Sequence, residues 1–69
     1  MRTMKIILNG NELSLEQGTT LKQLIEAQGL AGKRLAAEVN REIIPKAEHE
    51  SLILNEQDKV EIVHAIGGG

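Results

Sequence analysis

Residues 5–15 read KIILNGNELSL, and they decide the fold because they contain two strands and the turn between them. Asn9-Gly10 is the strongest short signal for a β-hairpin, since a tight two-residue turn needs positive φ at both positions. After the turn, Leu13 and Leu15 alternate with polar residues, which places both side chains on one face of a strand. This stretch therefore predicts two antiparallel strands.

A helix is predicted after the hairpin. Thr20 and Gln23 have the spacing of a capping box, in which each side chain accepts a hydrogen bond from the backbone N–H of the other residue. The helical face that follows contains Leu21, Leu24, Ile25 and Gln28. Gly29 suits the left-handed position that closes a helix, and Leu30 is placed to make the apolar contact typical of that closure. The pattern predicts one short helix lying across the sheet.

The second half of the chain predicts further short strands. These strands comprise residues 35–39, 43–45, 52–54 and 59–64. Residues 40–42 are predicted to form a turn, and residues 46–50 a loop or helical turn. Pro45 suits an edge strand because proline has no N–H group to donate to a neighbour. The residues that alternate onto one face are Ala37, Val39, Val60 and Ile62.

The order of these elements predicts an α+β fold, in which a mixed sheet of about four to five strands packs on one helix. The first and last strands are rich in Ile, Leu and Val, so they are expected to be central and parallel. This is the β-grasp (ubiquitin-like) arrangement. We expect a single domain over residues 1–66, followed by a flexible glycine tail over residues 67–69.

Composition excludes several classes of site. The 69-residue chain has no Cys, Trp, Tyr or Phe, so its core must be aliphatic and it offers no thiolate ligand or sulfur nucleophile. His49 and His64 are far apart in sequence and predict no metal site, and we expect both at the surface. The sequence has no phosphate-binding loop, metal-ligand spacing or catalytic pair of carboxylates. It therefore does not predict an enzyme, and we expect no bound cofactor or metal.

Charge and hydropathy limit the partners. The net charge is −2 and the basic residues are scattered, so no nucleic-acid partner is predicted. No apolar run approaches the roughly 20 residues that span a bilayer, and the first residues do not resemble a signal peptide. We therefore expect a cytoplasmic protein without membrane contact. Met4 is an alternative start, which would make Met1–Thr3 an extension.

The chain ends in Ala65-Ile66-Gly67-Gly68-Gly69. Glycine has no Cβ atom, so such an end can pass through a narrow channel in a partner and adopt any φ value. Three extended residues reach about 10 Å beyond the folded body, and the α-carboxylate is anionic at neutral pH. These properties describe a carboxylate delivered to another protein for activation. An ordinary frayed terminus is the alternative interpretation.

Three segments carry a resemblance to a known family. They are MKIILN at residues 4–9, VN followed by IIPK within residues 39–46, and DKVEIVH at residues 58–64, which runs into the glycines. In order and spacing they resemble the ThiS family of sulfur carriers in thiazole synthesis, which are small β-grasp proteins ending in Gly-Gly. There are two departures. Gln57 stands where the family often has glycine, and three glycines end the chain where two suffice.

The resemblance implies that the protein is a substrate rather than a catalyst. An adenylyltransferase similar to ubiquitin-activating enzymes would use ATP and Mg²⁺ to convert the Gly69 carboxylate into an acyl-adenylate. A persulfide from a sulfur-donor enzyme would then displace AMP and leave a thiocarboxylate at Gly69. Thiazole synthase would receive this sulfur. Gly68 and Gly69 would be the functional pair, with Gly67 as the rest of the tail.

An apolar patch is expected beside the tail, where an activating enzyme would dock. Because the last strand alternates, the residues next to Val60 and Ile62 face away from the helix. The residues expected in this patch are Ile7, Val63, Ala65 and Ile66. Exposed apolar patches of this kind tend to be interaction sites.

Three other functions remain open. The small subunit of molybdopterin synthase shares this fold and ending, although its members are usually longer and carry core aromatics. A ubiquitin-like modifier would use the same activation step but form an isopeptide bond from Gly69 to lysine. A β-grasp interaction module, for example one associated with RNA, is disfavoured by the weak basicity and the missing aromatics.

Overall fold

The structure, a computed structural model, describes residues 2–64, which form five strands, one α-helix and one 3₁₀ turn. The elements are β1 (Thr3–Leu8), β2 (Asn11–Glu16), α1 (Leu21–Ala27), β3 (Leu35–Val39), β4 (Glu42–Ile43), the 3₁₀ turn (Lys46–Glu48) and β5 (Lys59–His64). The strands form one sheet in the order β2-β1-β5-β3-β4. Strands β1 and β5 are parallel, and the other neighbouring pairs are antiparallel. The predicted mixed sheet, with its first and last strands central and parallel, is confirmed.

Both tight turns have positive φ at their two central residues, which Asn9-Gly10 favours and which Arg41 adopts although it is not a glycine. Asn9 and Gly10, with φ values of 49° and 84°, connect β1 to β2. Asn40 and Arg41, with φ values of 50° and 70°, connect β3 to β4. Positive φ at both central residues is the type I′ arrangement, whose twist matches that of the flanking strands. The chain therefore reverses within two residues at each turn, which fixes the face on which every strand side chain lies.

Helix α1 begins and ends as predicted. The Thr20 side chain accepts a hydrogen bond from the Gln23 N–H at 3.1 Å, and the Gln23 side chain accepts one from the Thr20 N–H at 2.9 Å. At the other end, Gly29 has a φ of 75°, and the Leu30 N–H donates to the Ile25 carbonyl at 3.1 Å. This closing pattern satisfies carbonyls that the last turn leaves without an intrahelical partner. The two ends therefore carry local start and stop signals, and distant residues add further bonds to the first turn.

The core between the sheet and α1 is aliphatic, as the composition requires. Its buried members are Met4, Ile6, Leu21, Leu24, Ile25, Ala37, Val39, Leu54, Val60 and Ile62. The predicted helical face is confirmed for its three apolar residues, whereas Gln28 lies at the helix end and is exposed. Strand β5 contributes Val60 and Ile62 from the centre of the sheet. The strand that leads to the glycines is thus also central to the core.

The predicted strand over residues 52–54 is not part of the sheet. Only an isolated bridge joins Ile53 to Thr20. The Leu21 N–H donates to the Leu52 carbonyl at 2.9 Å, and the Leu54 N–H donates to the Thr19 carbonyl at 2.9 Å. This segment therefore pairs with the residues that begin α1, and these contacts take the place of a sheet neighbour. The segment contacts the core, and the spacing of apolar residues alone cannot distinguish such a segment from a strand.

Strand β4 is shorter than the predicted 43–45 segment and begins one residue earlier, at Glu42, which was predicted to belong to the turn. It pairs with β3 at two positions, Glu38 opposite Ile43 and Val39 opposite Glu42. The Ile44 N–H adds one further bond, to the Ala37 carbonyl at 2.9 Å. Pro45 follows, and because proline has no N–H group it cannot continue the ladder. The chain then forms the 3₁₀ turn, so much of β3 has no strand beside it on this edge.

Candidate carrier terminus and docking face

The terminus is presented by β5, the middle strand of the five. Strand β3 pairs with it along its whole length, from Val39 opposite Val60 to Leu35 opposite His64. Strand β1 pairs with it only at its start, through Ile7 and Leu8. The predicted site residues Ala65, Ile66, Gly67, Gly68 and Gly69 lie outside the described residues. What the structure defines is the base from which they continue.

The Asn9 side chain extends the β1–β5 ladder beyond the end of β1. The Ile62 N–H donates to Asn9 Oδ1 at 2.9 Å, and Asn9 Nδ2 donates to the Ile62 carbonyl at 3.2 Å. The side-chain amide thus substitutes for a backbone peptide after the main chain has turned away. Sequence reasoning treated Asn9 only as a turn residue, and nothing in the local pattern indicates this second role.

Asn40 holds the other side of β5 in a similar way. The Lys59 N–H donates to Asn40 Oδ1 at 3.0 Å, and Asn40 Nδ2 donates to Asp58 Oδ1 at 2.9 Å. The other Asp58 carboxylate oxygen accepts a hydrogen bond from the Asn55 N–H at 2.8 Å. Asp58 is buried, and these donors satisfy its carboxylate in place of a cation. The start of β5 is therefore fixed by side chains from two turns.

Gln57, one of the two departures from the family pattern, keeps the backbone shape that glycine would adopt. Its φ is 70°, in the left-handed region, and its N–H donates to the Lys5 carbonyl at 2.7 Å. A side chain in this conformation costs about 1–2 kcal/mol relative to glycine. The departure therefore strains the turn before β5 without changing its path.

We expect Asn9→Gly to weaken the hydrogen bonding of β5 at Ile62 while leaving the turn intact. Glycine accepts positive φ but lacks the side-chain amide that binds Ile62. Loss of the two bonds to Ile62 should lower the free energy of unfolding by about 1–2 kcal/mol, measured by urea denaturation. Amide hydrogen exchange should accelerate at Ile62. The Lys59 amide, which Asn40 binds, serves as the internal control and should keep its protection. Unchanged protection at Ile62 would contradict this role for Asn9.

We define the outer face as the sheet surface opposite α1. Val63 lies on this face and is 70% exposed, and Ala36 is directly opposite it on β3. Ile7 also lies on the outer face but is opposite Lys59, four positions before Val63. At about 3.3 Å per residue, that offset separates them by roughly 13 Å along the strand. The structure therefore places Ile7 and Val63 on one face without bringing them into contact.

Ile43 is an outer-face residue that sequence reasoning did not select. It is 73% exposed and lies opposite Glu38, two residues from Ala36. The outer face near the start of the terminus therefore presents three exposed aliphatic side chains, from Val63, Ala36 and Ile43. The two-residue turn at Asn40 and Arg41 sets the register of β4 against β3 and so the face of Ile43, and the sequence does not reveal that register.

The outer face also carries an acidic pair. Glu61 on β5 lies directly opposite Glu38 on β3, next to the Val63–Ala36 pair. Like charges at directly opposed positions destabilise a sheet. The aliphatic residues beside the terminus thus lie next to negative charge.

The expectation that both histidines are surface residues is wrong. His49 is 7% exposed, and its Nε2 lies 2.9 Å from the Ile44 carbonyl, to which it donates. His64 is half-buried because it alternates onto the helix-facing side with Val60 and Ile62. Its Nδ1 is buried and has no hydrogen-bond partner among residues 2–64. The alternation of β5 would have predicted the position of His64, whereas no sequence signal indicated that of His49.

The described part of the chain shows no metal-binding cluster and no membrane-spanning helix. Over residues 2–64, no three His, Asp or Glu side chains come together in a way that could hold a metal ion. Helix α1, the α-helix of this region, is far too short to cross a bilayer.

Comparison with known proteins identifies the family. The ThiS family model matches residues 3–69. The chain belongs to the ThiS family. This match confirms the family that the three segments resemble, and it includes all of the terminal glycines. It also covers every structural element described above.

Curated relatives support the same assignment. The sulfur carrier protein ThiS of Bacillus subtilis is 36% identical over 63 residues, which cover 90% of this chain and 96% of that protein. A thiazole synthase of Magnetococcus marinus is 41% identical over 66 residues, which cover 96% of this chain. This ThiS-family chain spans only 20% of the length of that thiazole synthase. Similarity to this family therefore occurs both in a protein of matching length and inside a larger one.

A solved structure confirms the fold. The crystal structure of the thiamine biosynthesis protein ThiS from Geobacter metallireducens superimposes with a TM-score of 0.79. The alignment covers 96% of this chain and 100% of that chain, at 22% sequence identity. The β-grasp arrangement predicted from the order of elements is confirmed.

Proposed function

We propose that this chain is a sulfur carrier of thiamin biosynthesis, and that its reactive group is the Gly69 carboxylate. The observation that carries the proposal is the match of the ThiS family to residues 3–69, which runs through the last glycine. The similarity to the Bacillus subtilis sulfur carrier over nearly the whole of both chains supports it. In this function the folded body is recognised by partners, and the chemistry takes place at the end of the main chain.

The proposed reaction begins at the terminal carboxylate. A carboxylate oxygen of Gly69 attacks the α-phosphate of ATP on a partner adenylyltransferase, which releases pyrophosphate and forms an acyl-adenylate. The Mg²⁺ and ATP belong to that partner. The terminal sulfur of a persulfide then attacks the carbonyl carbon and displaces AMP. A thiol cleaves the resulting sulfur–sulfur bond, which leaves the Gly69 thiocarboxylate and a disulfide.

The acceptor of the sulfur in this proposal is a thiazole synthase. The Magnetococcus marinus thiazole synthase contains a segment similar to this chain within one longer polypeptide. Two functions joined in one polypeptide commonly work together, so this relative supports a thiazole synthase as partner. The other expected partners are the activating adenylyltransferase and an enzyme that supplies the persulfide.

Complementation separates this proposal from its alternatives. A bacterial host that lacks its own thiazole sulfur carrier should grow without added thiazole when it expresses this chain. A host that lacks the small subunit of molybdopterin synthase should not recover molybdenum-enzyme activity. The reverse result would assign the chain to molybdopterin synthesis. Conjugates with lysine side chains, detected by immunoblotting, would assign it to protein modification.

The outer face is the proposed docking surface for the activating enzyme. Val63 is 70% exposed and lies one residue before the last described position, so a partner that receives the terminus must pass close to it. The aliphatic side chains of Ala36 and Ile43 extend the same surface. Ile7, Ala65 and Ile66 remain proposed contributors.

Val63→Asp is expected to weaken binding of the activating enzyme at least about tenfold, which corresponds to about 1.4 kcal/mol. The substitution places a third carboxylate beside Glu38 and Glu61 and removes an apolar contact. Calorimetric titration with the adenylyltransferase measures the effect. Ile53→Asp is the matched control, because Ile53 is also exposed, at 55%, but lies outside the sheet. Equal affinity for the two variants would contradict docking on the outer face, as would unfolding of the Val63 variant.

A further inference from the structure

A groove on the β4 edge of the molecule shares Ala36 and Ile43 with the outer face, but the rest of its lining has no role in the function proposed above. It lies between one side of α1, the loop over residues 30–34 and the segment from Ile43 to Lys46, and its volume is about 560 Å³. Its apolar lining includes Leu30, Leu35, Ala36, Ile44 and Pro45. We call this feature the basic groove, for the charges described next.

Cations dominate the rim of the basic groove. Four of the eight Lys and Arg residues of the chain line it, together with two carboxylates, although the chain as a whole has a net charge of −2. Lys22 and Glu50 form an ion pair at 3.8 Å. Among residues 2–64 this is the one ion pair within 4 Å, so the other three cations have no carboxylate partner there. These cations are Lys33, Arg34 and Lys46.

The floor of the basic groove contains a strand edge without a neighbour. Strand β4 pairs with β3 only at Glu38 and Val39, and the Ile44 N–H bonds to Ala37. Because Ala37 bonds towards β4, the alternation of an antiparallel ladder directs the N–H and C=O of Leu35 to the same side, where no strand of the described residues lies beside it. The N–H and C=O of Ala36 face Val63 on β5 instead. An edge of this kind is a template for pairing with an extended chain, through backbone hydrogen bonds that any sequence supplies.

Buried contacts hold the wall of the basic groove in place. The Ile44 carbonyl accepts a hydrogen bond from His49 Nε2 at 2.9 Å. The His49 carbonyl in turn accepts one from the Lys22 N–H at 2.9 Å, in the first turn of α1. Since His49 is buried, this connection fixes the Ile44–Pro45 wall against the helix. The groove is therefore a preformed feature of the fold.

We propose that the basic groove binds an extended acidic segment of a partner protein, which pairs with β3 at Leu35. Its backbone adds to the strand edge, its apolar side chains contact the lining, and its carboxylates meet Lys33, Arg34 and Lys46. The site is separate from the terminal carboxylate and does not depend on sulfur transfer. Residues 35 and 36 lie opposite His64 and Val63, so the bound segment lies one strand away from the base of the terminus.

The test uses the full chain labelled with ¹⁵N and a seven-residue peptide of alternating valine and aspartate. Titration followed by amide chemical shifts should perturb residues 33–37, Ile44 and Lys46. A peptide with lysine in place of aspartate is the charge control, and one with N-methylated valines is the backbone control. Each control should bind at least about tenfold more weakly. Inorganic phosphate at the same concentration should not reproduce the shifts.

Two triple variants separate local charge from net charge. Replacing Lys33, Arg34 and Lys46 by glutamine should reduce affinity for the aspartate peptide at least about tenfold. Replacing Arg2, Lys5 and Lys59 by glutamine makes the same change in net charge outside the groove and should leave the affinity within about twofold, since distant exposed charges are screened. Equal losses in the two variants would refute the proposal. So would absence of binding at millimolar peptide, equal binding of the lysine peptide, shifts confined to the outer face, or a response to phosphate alone.

A chain that lacks Gly68 and Gly69 distinguishes this inference from the proposed function. It should bind the aspartate peptide with unchanged affinity although it cannot be activated. Loss of peptide binding in this shortened chain would contradict a separate site. Conversely, the triple variant of Lys33, Arg34 and Lys46 should still transfer sulfur although it binds the peptide weakly. This result would show that the groove and the terminal carboxylate act independently.

Discussion

A chain shortened by Gly68 and Gly69 is expected to keep its fold and to support no ATP–pyrophosphate exchange by the activating enzyme. The residues removed lie beyond β5, so no buried residue of the described core is lost. The carboxylate is then retracted by about 7 Å, at about 3.3–3.6 Å per residue. At that distance it cannot reach a phosphate that the full chain reaches. Radioactive pyrophosphate incorporated into ATP measures the step directly.

Gly69→Ala is the graded companion to this truncation. It keeps the length and the carboxylate but adds a Cβ atom where the carbonyl carbon must react. A displacement of about 1 Å in the reacting atom can reduce rate on the order of 10²-fold, so we expect exchange to fall by about that factor. Both variants should show the same urea denaturation midpoint as the unmodified chain. Full thiazole formation by the chain lacking both glycines would falsify the carrier proposal.

Leu24→Ala is expected to produce the largest loss of stability. Leu24 is 0% exposed in a core that contains no aromatic side chain. Truncating a buried leucine to alanine costs about 2–5 kcal/mol, from lost burial together with the cavity that remains. A domain of this size has a total stability of only about 3–10 kcal/mol. The loss is therefore a large share of the total stability, and the urea denaturation midpoint of the variant should fall accordingly.

Leu15→Ala is the matched control for Leu24→Ala. The same atoms are removed, but Leu15 is only half-buried, on β2 at the edge of the sheet. Its loss should be smaller, because water already reaches part of the side chain and no closed cavity forms. Urea denaturation followed by circular dichroism compares the two. Equal destabilisation would mean that the core is centred elsewhere than between α1 and the sheet.

Local signals in the sequence predict most of the fold. The Asn9-Gly10 turn, the capping box at Thr20 and the closing residue Gly29 all depend on a few neighbouring residues, and the structure confirms each of them. The parallel β1–β5 pair followed from apolar content, which marks strands that are covered by neighbours. Short-range rules therefore predict the turns and helix ends, and apolar content additionally predicts the long-range pairing of β1 with β5.

The sequence-based predictions were wrong or incomplete where specific contacts between distant residues determine the structure. Residues 52–54 look like a strand, but their partners are the residues that begin α1. The bond between the Asn9 amide and Ile62 joins residues 53 positions apart, which no local pattern reveals. His49 occupies a polar stretch and is nevertheless buried, because the 3₁₀ turn folds it back onto Ile44. These three cases concern pairing, positioning and burial that only the assembled sheet determines.

The candidate site divides in the same way. Alternation along β5 predicts that Val63 lies on the outer face, away from Val60 and Ile62. It does not predict how far the docking surface extends, because the contribution of Ile43 and the distance of Ile7 depend on the registers of β4 and β1 against their neighbours. The proposed reactive group at Gly69 came from the terminal sequence and the family resemblance. The packing of the described residues played no part in that proposal.

The most direct test of the central claim is the intact mass of the protein purified from its natural host under conditions of thiamin demand. If the terminal carboxyl carries the sulfur, a fraction of the molecules should show the mass increase of one oxygen replaced by sulfur. Fragmentation should place that increase on Gly69. A chain whose mass stays unmodified while the host makes thiazole, or whose added sulfur lies on another residue, would contradict the account.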